Sequence, residues 1–325
     1  LGENAVLDRD VEFLPTNDEL AERRENRERL TSPELSVLVA YSKLWLTQAL
    51  IDEGFGEDRW LEPVLHDYFP SAVAEKYGQH FWSHPLRREI IATKVANEVV
   101  DTAGIVFVFR VLEETGASVS TVVRSFLAVS AIFGLKDAMQ QVRDLAPTVE
   151  PDIWRSLVYG IQRFTDRAVR KVVQEGTLAQ AEVSGEIDGV MANFIERFCG
   201  VSDLRGNLEN FLGGKLLERL KENQKCVEKW GVDGALAHLW AEVWEQIALV
   251  DIVSIAEKSG WKTGEVAPLY FALYERFNAS NTMIAITELP RVGRWESIAR
   301  ASLRSDLYET LVSLTLKVIE FAQEK

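Results

Sequence analysis

The feature that most restricts this chain is its punctuation. Its long apolar stretches open on helix-start signals and close on helix stops. Ser32-Pro33-Glu34 offers a capping Ser, Pro at the first helical position and an acid beside the positive end of a helix dipole. The run LSVLVAYSKLWLTQALI that follows predicts a helix to about Ile51. HPLRREIIATKVANEVVDTAG predicts another, with Pro85 at N1 and Gly104 just past its end. Only IVFVFRVLEETG is rich in strand formers, yet it ends in Glu-Glu-Thr-Gly and finds no partner strand, so it also reads as helix. Ser118 caps a further apolar helix, SVSTVVRSFLAVSAIFG, and another follows from Lys136 to Ala146. Later helices run from Pro151 towards Glu175, end near Cys199, Lys229, Ser259 and Asn278, and finish with one from about Arg294 to Gln323. The expected class is all-α: a multi-helix domain of two packed helical sub-domains, with no Rossmann sheet.

At 325 residues and 47% hydrophobic content the chain can bury a large core, and at this size one core tends to divide. Pro147 and Pro151, only four apart in APTVEPD, mark the expected division. It separates a sub-domain over 33–146 from one over 151–325. Residues 1–32, with the mixed-charge run ELAERRENRER, read as a solvated connector. The chain opens without Met and in mid-pattern, which suggests a piece of something longer.

A formal charge of −14 leaves little room for a phosphate-gripping footprint, so no nucleic acid is expected as partner. No apolar run approaches the roughly 18 residues of a membrane span, and the expected setting is cytoplasmic, with no membrane partner. Cys199 and Cys226 stand apart from each other and from histidines, so both read as reduced thiols. Gly116 and Gly260 are each followed at similar distances by an apolar helix, a weak echo across 144 residues that does not establish a repeat.

The motifs of chemistry fail one by one. Gly54-Phe55-Gly56-Glu57-Asp58-Arg59 has Arg where a dinucleotide fingerprint needs its third glycine, and follows a helix instead of a strand. Gly213-Gly214-Lys215-Leu216 lacks a P-loop's upstream glycine, Glu209 standing there, and its Mg²⁺-binding hydroxyl, replaced by Leu216. His80 and His84 have zinc-pair spacing, but Pro85 implies that they do not share a helical face. His66 precedes Asp67 on a short helix, and His238, in ALAHLW, reads as a satisfied core residue. The nine tryptophans read as packing and interface anchors.

Arg87, Arg88 and Glu89 gather charge at a helix start. On a helical wheel Leu86, Ile90, Ala96, Val99, Val100 and Ala103 form one arc, and Glu89 and Thr93 fall inside it. A carboxylate there is either a tuned base or half of a buried ion pair with Arg110 or another arginine. With no nucleophile, metal-ligand set or phosphate nest beside it, the structural reading prevails. The candidate ion-pair network is Arg87, Arg88, Glu89 and Arg110, with no catalytic, cofactor or metal residue assigned.

Five blocks carry a resemblance. LTSPELSVLVAYSK (30–43), LEPVLHDYFP (61–70), HPLRREIIATKVANEVV (84–100), FRVLEETGAS (109–118) and LPRVGRWESIARASLRSDLYETL (289–311) stand in one order along the chain. Together they resemble the carboxyl-terminal region of the large bacterial NAD-specific glutamate dehydrogenases. Gly293 departs from the acidic residue expected in LPRVGRW, and 177–230 holds no matching block. The resemblance implies a parent enzyme that converts L-glutamate, NAD and water to 2-oxoglutarate, ammonium and NADH, with its catalytic and nucleotide-binding elements upstream. For this segment it implies a non-catalytic role, with no cofactor of its own and residues 1–32 leading in from the catalytic domain. The expected partners are that catalytic domain and other subunits of a homo-oligomer. A helical module that binds a small effector or a regulatory protein is the alternative.

Overall fold

The computed structural model describes residues 7–184, 189–198, 201–205, 207–290 and 293–324. They form an all-α structure, with helices and short 3-10 turns and no strand among the described residues. Among the described residues no single helix is long and apolar enough to cross a membrane. The chain divides into two units, one comprising the described residues up to Phe109 with Ser118–Val123, the other Arg110–Ala117 with Arg124 onwards. The 147–150 turn lies inside the second unit.

The first unit contains α1 (Asn17–Glu25), α2 (Ser32–Asp52), α3 (Glu62–His66), α4 (Ser71–Tyr77) and α5 (Arg87–Ala103), with the beginnings of α6 (Phe107–Thr115) and α7 (Val119–Phe133). No residue of α1 is buried, as its charge pattern leads one to expect. The cap of α2 is Thr31 and not Ser32: Thr31 accepts from the Glu34 N–H while Glu34 reaches back to the Thr31 N–H. The Thr-x-x-Glu spacing decides this, because the capping box sets its partners three positions apart and shifts Pro33 to the second helical position. α2 and α5 run antiparallel, with Gly56 against Arg88 at one end and Lys43 paired with Asp101 at 2.7 Å towards the other. Between them Leu46, Leu50, Ile91, Val95 and Val99 are essentially inaccessible to solvent. Each such side chain contributes about 1.5–3 kcal/mol through burial. The Glu53 carboxylate accepts the Val119 and Ser120 N–H groups at 3.2 and 2.7 Å, satisfying donors that the first turn of α7 cannot pair internally.

The second unit continues through α8 (Leu135–Leu145), α9 (Pro151–Glu175), α10 (Thr177–Ser184), α11 (Val190–Glu196), α12 (Val201–Arg205), α13 (Gly214–Lys229), α14 (Gly234–Ala241), α15 (Val243–Ser259), α16 (Thr263–Arg276), α17 (Ala279–Glu288) and α18 (Arg294–Gln323). At its centre α9 packs on α8, α14 and α15, and α15 packs on α16 and α18. Almost every side chain of α15 from Val243 to Ala256 is buried, the pattern of a helix enclosed on all sides. Gly160 lets α9 approach the Trp240 ring, whose Nε1 donates to the Ser156 carbonyl at 3.1 Å. Gly116 and Gly260, the two echoed glycines, both have positive φ, +69° and +72°, a conformation that favours glycine at a sharp helix-to-helix bend.

Candidate functional site

The residues singled out at the start of α5 do not form one network. Leu86 caps the helix, which begins at Arg87, so Pro85 lies outside it. Because Leu86 precedes the helix, it cannot set the direction of the apolar arc; the buried face instead follows Ile91, Val95, Val99 and Thr102, flanked by Ile90, Ala92, Ala96 and Val100. Glu89 and Thr93 are therefore exposed, and Glu89 forms no ion pair among the described residues. Arg87 and Arg88 both pair with Glu57, which is 43% exposed, and Arg87 also lies over the Trp82 ring. Arg110 pairs with Asp166 in the second unit. The Glu57 pairs are surface contacts, and a surface pair contributes about 0–1 kcal/mol.

His238 does not sit in the core. It is 56% exposed and its Nδ1 lies 3.0 Å from a Glu242 oxygen. In the short helix α14, Leu236 and Leu239 turn inward and leave the histidine outside. His66 packs on Phe81 and beside Gly78, while His80 and His84 sit in a 3-10 turn and on the extended residue that ends it. Cys226 is an exposed thiol, and Cys199 lies outside the described residues.

The concentrated electrostatics lie in the second unit, along α9. The stretch FTDRAVRKVV carries Asp166, Arg167, Arg170 and Lys171 among the buried Phe164, Ala168, Val169, Val172 and Val173. Arg170 pairs with Glu114 and, at 2.5 Å, with Asp166, which Arg110 also holds. The other Glu114 oxygen accepts from the Ser297 hydroxyl at 2.9 Å. Burial alone raises the pKa of Asp166, but Arg170 and Arg110 outweigh it and hold the carboxyl below its usual range. Lys171 pairs with Asp251 of α15 at 2.6 Å, and the other Asp251 oxygen accepts from the Tyr270 hydroxyl at 2.8 Å. Arg219 of α13 reaches Glu245 of α15 at 2.5 Å. For both Asp251 and Glu245 burial dominates and raises the pKa. Arg167 takes no carboxylate; its guanidinium carbon lies over Trp244, 3.6 Å from the ring centre.

The space beside this network is small. A cavity lined by Arg219, Trp244, Glu245, Phe271, Tyr274 and Tyr308 measures about 10 Å³, room for about one water molecule. Glu245 Oε2 is buried there without a hydrogen-bond partner among the described residues. A larger cleft of about 490 Å³ is lined by Leu204, Asn207, Asn210 and Phe211 on one side and by Lys262 and Thr263 at the start of α16 on the other. Among the described residues no group of three or more His, Cys, Asp or Glu is placed to hold a metal ion.

A family model described as glutamate dehydrogenase, C-terminal, matches residues 27–325. The chain belongs to this family. It is 32% identical over 314 residues, 97% of its length, to the NAD-specific glutamate dehydrogenase of Pseudomonas aeruginosa. It is 32% identical over 313 residues, 96% of its length, to that of Mycobacterium tuberculosis, and 30% identical over 313 residues to that of Halomonas elongata. The chain spans 19% of the length of each of these relatives.

The relatives' name raises the question of NAD, and the glycine turns here do not fit it. In Gly54-Phe55-Gly56 a side chain on Gly56 meets the Arg88 backbone, and the turn leads into a 3-10 segment, with no strand–turn–helix to present N–H groups to a pyrophosphate. At Gly213-Gly214-Lys215 the Leu216 N–H at the start of α13 already donates to the Glu275 carboxylate at 3.1 Å. An acidic side chain occupies the end of the helix dipole that a phosphate needs.

Sequence reasoning missed the α9 charges because their neighbours are apolar on every side and their partners lie far away in the chain. One signal was present: Asp166 and Arg170 are an i, i+4 pair inside a helix otherwise built for burial.

Proposed function

We propose that this chain is a non-catalytic helical region of a large NAD-dependent glutamate dehydrogenase that stabilises the catalytic part and its assembly into a homo-oligomer. The parent would convert L-glutamate, NAD and water to 2-oxoglutarate, ammonium and NADH, in the cytoplasm. The observation that carries the non-catalytic reading is the space at the buried network: about 10 Å³ beside Glu245 and Arg219 admits a water molecule but no amino acid. Catalysis needs a substrate within about 3 Å of its acid, base or nucleophile. Asp166, Arg170 and Lys171 of α9 are instead engaged by other side chains of the unit, as in a buried structural network.

The test is Glu114→Gln in the full-length protein. The expected variant melts at lower temperature or assembles less completely, and at a permissive temperature turns over glutamate at the wild-type kcat. A correctly folded variant whose kcat falls by orders of magnitude would assign the network to catalysis.

A second reading, a module for a small effector, is favoured by the 490 Å³ cleft beside Lys262, a size within the ordinary range for ligand sites. Calorimetry of the full-length protein against amino acids and nucleotides separates the two. Saturable binding abolished by Lys262→Ala supports the effector reading, and silence supports scaffolding alone.

A further inference from the structure

Arg163 and Arg167 on α9 and Arg304 on α18, all in the second unit, form no ion pair among the described residues. In a chain with 50 acidic and 36 basic residues, guanidiniums gathered where none of the nearby carboxylates is paired to them call for an explanation. Arg163 and Arg167 are one turn apart and so share a side of α9; Arg304 and Tyr308 are one turn apart and share a side of α18. The two sides meet, since Lys171 Nζ of α9 lies 3.8 Å from the centre of the Tyr308 ring, and Arg167 is within electrostatic range of Tyr308, Arg304 and Arg163.

The nearby carboxylates are already engaged. Asp166 is held by Arg110 and Arg170, Glu114 by Arg170 and Ser297, and Asp251 by Lys171 and Tyr270. Arg167 is 9% exposed, and one of its Nη atoms is buried with no acceptor; the Nε of Arg304 is buried in the same condition. Burial, together with repulsion from Arg304 and Arg163, pushes Arg167 down to about 9, which leaves it cationic at neutral pH. The stack on Trp244 accounts for one face of the Arg167 guanidinium but supplies no acceptor for its N–H groups. Arg163 is exposed and Arg304 half-buried, so this group of donors is open to solvent at one edge.

We propose that Arg163, Arg167 and Arg304 form a binding recess for one small oxyanion, a carboxylate or phosphate group, which supplies the missing counter-charge and acceptors. A guanidinium presents paired N–H donors in a plane that matches either group. The water-sized cavity beside Tyr308 is too small for it, so the anion enters from the Arg163 and Arg304 side. The recess does not depend on the activity proposed above, because its test reads binding.

Hydrogen exchange of the full-length protein, at constant ionic strength, is followed while inorganic phosphate, succinate or chloride is added. The expected result is saturable protection of peptides covering residues 160–172 and 298–310 by phosphate, succinate or both, the responding anion naming the group preferred. Arg163→Gln, at an exposed position, and Arg304→Gln should each weaken binding at least tenfold and leave exchange elsewhere unchanged. Absence of saturable protection, an equal response to chloride, or unchanged binding in both variants would overturn the proposal.

Discussion

The two units use the same charged residues to opposite ends. In the first, Arg87 and Arg88 share Glu57 at the surface, and α2 and α5 are held by Leu46, Leu50, Ile91, Val95 and Val99. In the second, Arg170, Glu114, Lys171, Asp251 and Glu245 lie inside the packing of α9, α15 and α18, with side chains at most 11% exposed. A surface pair exchanges water for a partner of similar quality, so little depends on it. A buried pair is costly to create and more costly to half-dismantle, since the remaining charge has no solvent to turn to. Charged residues therefore reveal their role through where the helices carry them, and clustering in the sequence is a poor guide.

Substitutions that sharpen this contrast fall into an order. Glu114→Ala in the second unit strands Arg170 and should cost about 3–5 kcal/mol, read from the denaturant midpoint. Gly160→Ala drives a methyl group into the Trp240 ring and should cost about 1–3 kcal/mol by overpacking. Glu57→Gln in the first unit should cost at most about 1 kcal/mol, and Glu89→Gln should stay within about 0.5 kcal/mol, since Glu89 is exposed. A loss above about 2 kcal/mol for either would break the comparison.

Acid titration separates the buried carboxylates by sign. Asp166 has its folded pKa below the unfolded value, so its contribution is complete above the usual carboxylate range and fades as pH falls through the lowered value. The stability of wild type relative to Asp166→Asn should shrink on acidification from pH 7. Glu245 has its folded pKa raised by burial, so the folded state favours the protonated form and its contribution is lost as pH rises through the raised value. The stability of wild type relative to Glu245→Gln should grow over the same acidification. Parallel slopes for the two pairs would contradict the assignment.

Much of the architecture was legible because helix boundaries are local. Ser118 caps α7 as expected, donating to Thr121 Oγ1 and accepting the Thr121 N–H, and α9 and α18 run over the residues their patterns indicate. Local rules also explain the failures. The start of α2 moved by one residue because the capping box reads Thr31 and Glu34 together. Glu89 falls inside the apolar arc only when Leu86 counts as helical, and Leu86 lies outside the helix. The pairs of Glu114 with Arg170 and of Arg219 with Glu245 were beyond reach, since partners 56 and 26 residues apart leave no mark on local periodicity.

The most direct measurement of the central claim is glutamate-dependent formation of NADH, followed by absorbance, for the purified 325-residue chain beside the full-length protein at equal molar concentration. The account predicts robust turnover by the full-length protein and none above background by the chain. Turnover by the chain at a substantial fraction of the full-length rate would contradict it.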